Sequence, residues 1–199
     1  MAPHAACLVM SRSWLLRLGA GVAGVGGVGV LVARGSLSLD LGWGRRTRRL
    51  GPIERTIAAP RAVVFDVIEG PYHRTPRALA GKLHVWERGE NMMLAEHFTK
   101  VGPLTASTLE VVRFERPERV TFRLVRGPVP HVVETYELGE ADGRTRFVYS
   151  GVLGTDFWAL GDFVASQVAP LWERAVTDSL DLITAEAERR AERRQAASP

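Results

Sequence analysis

The segments 92-MMLAEHFTKV-101, 106-ASTLEVVRF-114 and 119-RVTFRLVR-126 decide the fold, because apolar and polar residues tend to alternate along them. A period of two is that of a β-strand with one buried face. Similar segments occupy residues 82–88, 131–138 and 146–153. The turns between these segments are short and carry Gly, Pro, Asn or Asp, which suit chain reversal. Consecutive strands are therefore predicted to pair antiparallel.

The residues before this sheet predict one more strand and a helix. Residues 53–58 are strand-like, and Pro60 is a typical start signal for a helix that carries apolar residues at Val63, Val64, Val67 and Ile68. Gly70-Pro71 is expected to end that helix. Residues 72–80 are predicted to form a loop or a second short helix.

The residues after the sheet predict one long helix over 157–194. Pro170 lies inside it and should kink or restart it, because proline removes a backbone hydrogen bond and clashes with the preceding turn. One broad apolar face is expected to consist of Val164, Val168, Leu171, Trp172, Ala175, Val176, Leu180, Leu182 and Ile183. The predicted fold class is α+β.

Length and composition allow one sizeable domain with an appendage. The chain has 199 residues, of which 46% are hydrophobic and 24% charged, as in ordinary globular proteins. We expect an N-terminal tail at 1–13, a transmembrane anchor at 14–33 and a basic linker at 34–51. A ligand-binding domain should follow at 52–190, with a charged disordered tail at 191–199.

The anchor is predicted from an apolar segment near the N-terminus. Residues 18–33 carry no charge, and extension back to Trp14 adds only Arg17. About 20 helical residues span ~30 Å, the thickness of the bilayer's hydrocarbon core. The alternative is a cleaved signal peptide, but the sequence offers a poor cleavage site, so we favour an uncleaved anchor.

Basic residues are more numerous after the apolar segment than before it, which predicts a single-pass protein of the cell membrane with its C-terminal domain in the cytoplasm. The arginines between Arg45 and Arg49 are expected to lie beside anionic headgroups, so membrane lipid is a predicted partner.

The distribution of charge argues against nucleic-acid binding. Residues 1–51 hold seven Arg and one Asp, whereas residues 52–199 hold 19 basic and 21 acidic residues. A duplex-binding domain needs clustered basic residues on the domain itself. Cys7 is the only cysteine, which excludes an internal disulfide and a zinc site built from several cysteines.

Three short motifs resemble the SRPBCC (START-like) superfamily, particularly its polyketide cyclase/dehydrase and lipid-transport branch. The motifs are Ile57-Ala58-Ala59-Pro60 followed by 63-VVFDVI-68, then 116-RPERVTF-122, then 143-GRTRF-147. The similarity covers roughly residues 52–190. It implies a helix-grip fold, in which a curved antiparallel sheet wraps around the long C-terminal helix and leaves a cavity for an apolar or amphipathic small molecule.

Candidate cavity residues follow from this implied fold and are aromatic or polar. They are Trp86, His97, Tyr136, Tyr149, Trp158 and Trp172. In a cyclase, His97 would serve as a general base and Tyr136 and Tyr149 as proton donors. No spacing indicates a metal site, a phosphate-binding loop or a nucleophile elbow, so no metal or cofactor is predicted.

Three functions remain open at this level. The first is a membrane-anchored binding protein for a hydrophobic or amphipathic molecule, such as a lipid or polyketide. The second is an aromatase/cyclase that uses His97, Tyr136 and Tyr149. The third is an interaction module with a filled cavity, whose charged helix end, residues 186–194, binds a partner.

Overall fold

The sheet is antiparallel and has seven strands among the residues that the computed structural model describes, which are residue 27 and residues 29–197. The strands are β1 (Arg46–Ile57), β2 (Leu83–Arg88), β3 (Met92–Val101), β4 (Leu104–Glu115), β5 (Arg119–Arg126), β6 (His131–Ala141) and β7 (Arg144–Thr155). Their order is β1-β7-β6-β5-β4-β3-β2, so β2 to β7 form a meander and β1 pairs with β7 at one edge. The helices are α1 (Arg61–His73), a 3-10 turn (Arg77–Leu79) and α2 (Trp158–Ala196). The predicted α+β helix-grip architecture is confirmed.

The alternation in the sequence places one face of the sheet in the core. On β4 and β5, Val112, Phe114, Val120 and Phe122 are buried, whereas the intervening Arg113 is exposed. Apolar side chains thus line the concave face, which the two helices cover.

Helix α2 runs alongside β1 in the same direction. Four contacts join the two segments, namely Arg46 with Asp162, the Gly51 N–H with Glu173, Arg55 with Asp181, and the Ala58 N–H with Glu188. From the first contact to the last, the β1 side advances about 40 Å at ~3.3 Å per residue. The α2 side advances about 39 Å at ~1.5 Å per residue. The two rises match, so the contacts stay in step along the whole edge.

Helix α1 begins after Pro60, as predicted, but it does not end at Gly70-Pro71. It continues to His73 and buries Tyr72, whose ring packs edge-on against Phe114 at 5.4 Å. The lost backbone bond at Pro71 is outweighed by this packing, so the prediction of a stop was wrong.

Helix α2 is a single element that passes through Pro170 without restarting. Its buried residues are mostly small, namely Gly161, Ala165, Ala169, Val176, Leu180, Ala187 and Ala191. Small residues let the helix approach the rest of the fold closely: a Cβ at Gly161 would overlap the Asp156 carbonyl. The larger residues Val164, Leu171 and Leu182, predicted to face the core, are exposed.

The boundaries of the domain are wider than predicted. β1 begins at Arg46, inside the predicted linker, and Arg45 and Arg46 form ion pairs with Asp156 and Asp162 instead of remaining free for headgroups. α2 continues to Ala196 with Ala191 buried, so most of the predicted disordered tail is helical.

Most of the predicted anchor, residues 14–33, lies outside the described residues, which include only 27 and 29–33 of it. Within the described part of the chain, no helix is both long and apolar enough to cross a membrane.

Candidate functional site

A row of polar side chains crosses the middle of the concave face, between otherwise apolar layers. His97, Glu110, Glu134 and Tyr149 come from β3, β4, β6 and β7, each at a position whose alternate neighbours along the strand are inward-facing. We call these four residues the inner row. Buried polar groups are costly unless they are paired, so their partners are informative.

The first half of the inner row is a histidine between an acid and a phenol. The His97 Nε2 atom lies 3.0 Å from the Tyr72 hydroxyl, and its Nδ1 atom lies 3.2 Å from the Glu110 carboxylate. Burial lowers the pKa of His97, but the charge of Glu110, its hydrogen bonding and the charge of Glu134 together outweigh burial, so the pKa is raised above its usual value. His97 therefore holds a proton more readily than a free imidazole.

The second half of the inner row is a carboxylate held by two neutral donors. The Tyr149 hydroxyl and the Trp172 indole N–H, which reaches in from α2, both donate to Glu134 Oε1 at 2.7 Å. Burial, reinforced by the charge of Glu110, raises the pKa of Glu134 to about 7. Because Oε1 accepts both bonds, Oε2 is left to carry the proton. Glu134 can thus exchange a proton near neutral pH.

Tyrosine hydroxyls stay protonated throughout this region. Burial and the nearby carboxylates raise the pKa values of Tyr72, Tyr136 and Tyr149. The half-buried Tyr136 ring lies against Phe122 and Phe147, with centroids 4.8 and 4.9 Å away. Its hydroxyl has no hydrogen-bond partner in the described part of the chain. It can therefore donate to a bound molecule.

Three side chains at the inner row are only partly buried. The His97 side chain is deeply surrounded by protein, yet 26% of its surface remains accessible, and Tyr136 and Trp172 are also only partly buried. Such accessible surface deep in a fold borders space that a small molecule can enter. Four of the six predicted cavity residues, His97, Tyr136, Tyr149 and Trp172, meet here.

Two predicted cavity residues lie elsewhere. Trp86 is exposed on the convex face, because Leu83 and Val85 take the inward positions of β2. Trp158 is exposed at the start of α2, since the chain has not yet turned over the sheet there. Neither residue lies with the other four candidates on the concave face.

The convex face has its own buried carboxylate, Glu96. It accepts hydrogen bonds from Trp86 at 3.0 Å, from Arg126 at 2.9 Å and from Ser107. A cleft of about 390 Å³ lies beside it and is lined by Arg34, Ser36, Glu96, Phe98, Pro103, Thr105, Ser107 and Arg126. These three donors hold the Glu96 carboxylate in place, which gives it a structural role.

Glu110 and Glu134 are the residues of the inner row that are missing from the six sequence candidates. The inward position of Glu110 was predictable. Glu110 lies two and four residues before the apolar Val112 and Phe114, so the period of the strand places it on the buried face. A charge at an inward position of an otherwise apolar strand was the available signal.

Comparison with known proteins agrees with this architecture. The family model described as polyketide cyclase / dehydrase and lipid transport matches residues 53–188. No curated protein sequence matches the chain.

Two solved structures illustrate the shared fold. The Zhui aromatase/cyclase from Streptomyces sp. R1128 is 19% identical, with a TM-score of 0.61 over 73% of this chain and 95% of that chain. Norcoclaurine synthase from Thalictrum flavum is 15% identical, with a TM-score of 0.53 over 71% of this chain and 86% of that chain. Because the family model matches most of its length, the chain belongs to the polyketide cyclase / dehydrase and lipid transport family.

Proposed function

We propose that this protein is a membrane-tethered binding protein that holds a hydrophobic or amphipathic molecule, lipid-like or polyketide-like, between the concave sheet and α2. The observation that carries the proposal is the accessible surface of His97, Tyr136 and Trp172 deep inside the fold. Apolar walls with a few converging polar groups are typical of small-molecule sites.

The polar groups favour a ligand with at least one oxygen. Tyr136 offers a donor with no protein partner, whereas both ring nitrogens of His97 already face Tyr72 and Glu110. A carbonyl, hydroxyl or carboxylate on an otherwise apolar skeleton would satisfy the Tyr136 hydroxyl, whereas a pure hydrocarbon would leave it unpaired.

The tether is supported by the apolar sequence of residues 14–33 and by the arginines that follow it, with the domain on the cytoplasmic side. A tether near the bilayer would raise the effective concentration of a lipid-soluble ligand around the binding site.

The test is ligand retention by the full chain, purified in mild detergent and examined by native mass spectrometry. We expect a co-purifying organic molecule, and a Tyr136→Ala variant should retain at least tenfold less of it. Thr135→Ala is the matched control, because the neighbouring residue points to the convex face. Equal retention by both variants, or no bound molecule and no thermal shift with fatty acids or isoprenoids, would refute the proposal.

The second candidate function is an aromatase/cyclase, and the near-neutral pKa of Glu134 favours it. A carboxyl that exchanges protons near pH 7, close to a histidine and a tyrosine, can remove and return protons during aldol closure and dehydration of a poly-ketone. In that case His97→Gln should abolish turnover of a linear poly-β-ketone thioester while ligand retention persists. Unchanged turnover in the variant would exclude this chemistry.

A further inference from the structure

The segment 37–43 exposes a row of apolar side chains to solvent. Leu37, Leu39, Leu41 and Trp43, at every second position, are exposed. The intervening Ser38 turns inward to Gly127. Its hydroxyl donates to the Gly127 carbonyl at 2.8 Å and accepts from the Gly127 N–H at 2.7 Å. Asp40 is also exposed and pairs with Arg45, so the outward surface of the segment is apolar apart from this ion pair.

Fixed contacts hold the segment in this orientation. Its beginning is a Schellman turn, in which Gly35 adopts φ +71° and the Ser36 N–H bonds the Leu31 carbonyl at 3.0 Å. Gly35 packs so tightly on β4 that a Cβ would overlap the Ser107 carbonyl. At the other end, the Leu41 and Gly42 N–H groups both donate to Asp156 at 2.9 Å. The leucines are therefore presented outward by a rigid strap.

The start of α2 adds aromatic residues to the same end of the sheet. Phe157 and Trp158 have φ values of +71° and +48°, a region that bulky side chains rarely adopt. Their N–H groups bond the carbonyls of Trp43 and Gly44 at 2.7 and 3.0 Å, which holds this strained geometry. Both rings are exposed, as are Leu160 and Phe163 on the following turns. Strain that keeps aromatic rings in solvent calls for a compensating partner.

We propose that this surface, formed by the exposed apolar residues of 37–43 and 157–163 and here called the apolar end, inserts into the interface of a lipid bilayer. The proposal rests on the tether proposed above. The proposed tether joins the domain through Arg34, three residues before Leu37, so the apolar end lies within ~10 Å of chain from the tether. Trp, Phe and Leu are the residues that settle at the boundary of headgroups and acyl chains.

Charge complementarity favours an anionic bilayer as the occupant. Of the five Arg in residues 34–49, Arg45 and Arg46 form ion pairs with Asp156 and Asp162. The other three, Arg34, Arg48 and Arg49, are exposed and can reach the phosphate groups of an anionic surface. The domain would thus lie on the membrane with the β1 start and the β7 end toward the lipid.

The test places spin labels on the full chain in vesicles of phosphatidylcholine and phosphatidylglycerol. In a Cys7→Ala background, Phe163→Cys and Leu39→Cys report on the apolar end, and Leu182→Cys is the control. Phe163 and Leu182 lie on the same helix and are 63% and 64% exposed. We expect labels at 163 and 39 to collide at least fivefold more with oxygen than with a nickel chelate, and the label at 182 to show the reverse.

The outcomes separate the docking surface from the tether and from ligand binding. If the chain sediments with vesicles but label 163 is as wet as label 182, docking is refuted and the tether stands. Protection of label 163 from both reagents would mean that protein covers the apolar end, which also refutes the proposal. A chain that stays in the supernatant refutes tether and docking together, whereas ligand retention is measured independently in detergent.

Discussion

Two glutamates on opposite faces of the same sheet are buried almost equally and titrate in opposite directions. Glu134 on the concave face is 6% exposed, and Glu96 on the convex face is 7% exposed. Burial raises the pKa of Glu134 to about 7, whereas the pKa of Glu96 is lowered below its usual value even though its own desolvation opposes the shift. Burial alone therefore does not decide the charge of a carboxyl in this protein.

The partners of the two carboxyls account for the difference. Ser107, Trp86 and the cation Arg126 surround Glu96 and together outweigh its desolvation. Glu134 receives two hydrogen bonds from neutral groups and also faces the negative charge of Glu110. The convex site is built to keep a charge, and the concave site is built to release one. Only the second arrangement is suited to binding or proton transfer.

The largest expected effect follows from substitution of Glu134 by its neutral isostere. A carboxyl with a folded pKa of about 7 and an ordinary value of 4.5 contributes stability below pH 4.5 that is lost as pH rises through 7. Glu134→Gln keeps an oxygen for Tyr149 and Trp172 but carries no charge. At pH 8 it should raise the free energy of unfolding by about 3 kcal/mol, as 1.36 kcal/mol per pKa unit implies.

Urea unfolding of the full chain in one detergent, at pH 5 and pH 8, measures this effect. The increase in the free energy of unfolding caused by Glu134→Gln should shrink to a small fraction at pH 5, because the native glutamate is itself protonated there. A variant that is equally stabilising at both pH values, or destabilising at pH 8, would show that the pKa of Glu134 is not raised in the folded protein.

The same substitution on the convex face should act in the opposite sense. Glu96→Gln removes the charge that faces Arg126 and sets an amide donor among the donors that surround it. We expect a loss of about 1–2 kcal/mol at pH 7, the cost of an unsatisfied buried group. Because the pKa of Glu96 is lowered, the native stabilisation is lost as pH falls through that pKa, so the difference should narrow in acid. A penalty that is constant between pH 3 and pH 7 would contradict this account.

Sequence periodicity predicts the sheet well, because each strand has one buried face. The predicted bounds of β3 and β5 coincide with those observed, and the long helix is found within two residues of its predicted limits. The face of α2 was harder to predict, since close packing selects Gly161, Ala165 and Ala169 over larger apolar residues. The helical period does not show which positions lie so close to other parts of the fold that only a small residue fits there.

The candidate site was predictable only in part. Strand alternation places Tyr136 and Tyr149 together, as the sequence indicated, but the contact of Trp172 with Glu134 depends on how α2 crosses the sheet. The position of Trp86 could not be predicted in this way. The side of the sheet on which it lies depends on the register of β2 against β3, which the sequence does not specify. Contacts between residues of different elements depend on how those elements pack, and the pKa values of the residues depend on the same packing.

The smallest expected effect tests whether the two halves of the inner row communicate. The charge of Glu110 raises the pKa values of both His97 and Glu134, so Glu110→Gln should lower both. The change at Glu134 should be smaller than that caused by burial, which is its larger cause. Carboxyl-carbon NMR titration of a chain labelled at glutamate measures it, with the Glu134 signal identified by its loss in Glu134→Gln. Glu115→Gln is the matched control, because that carboxyl lies at the exposed end of the same strand. If Glu110→Gln shifts His97 but leaves Glu134 unchanged, then the histidine pair and the Tyr149–Glu134–Trp172 group are two separate sites, and proton movement between them plays no part in what the protein does.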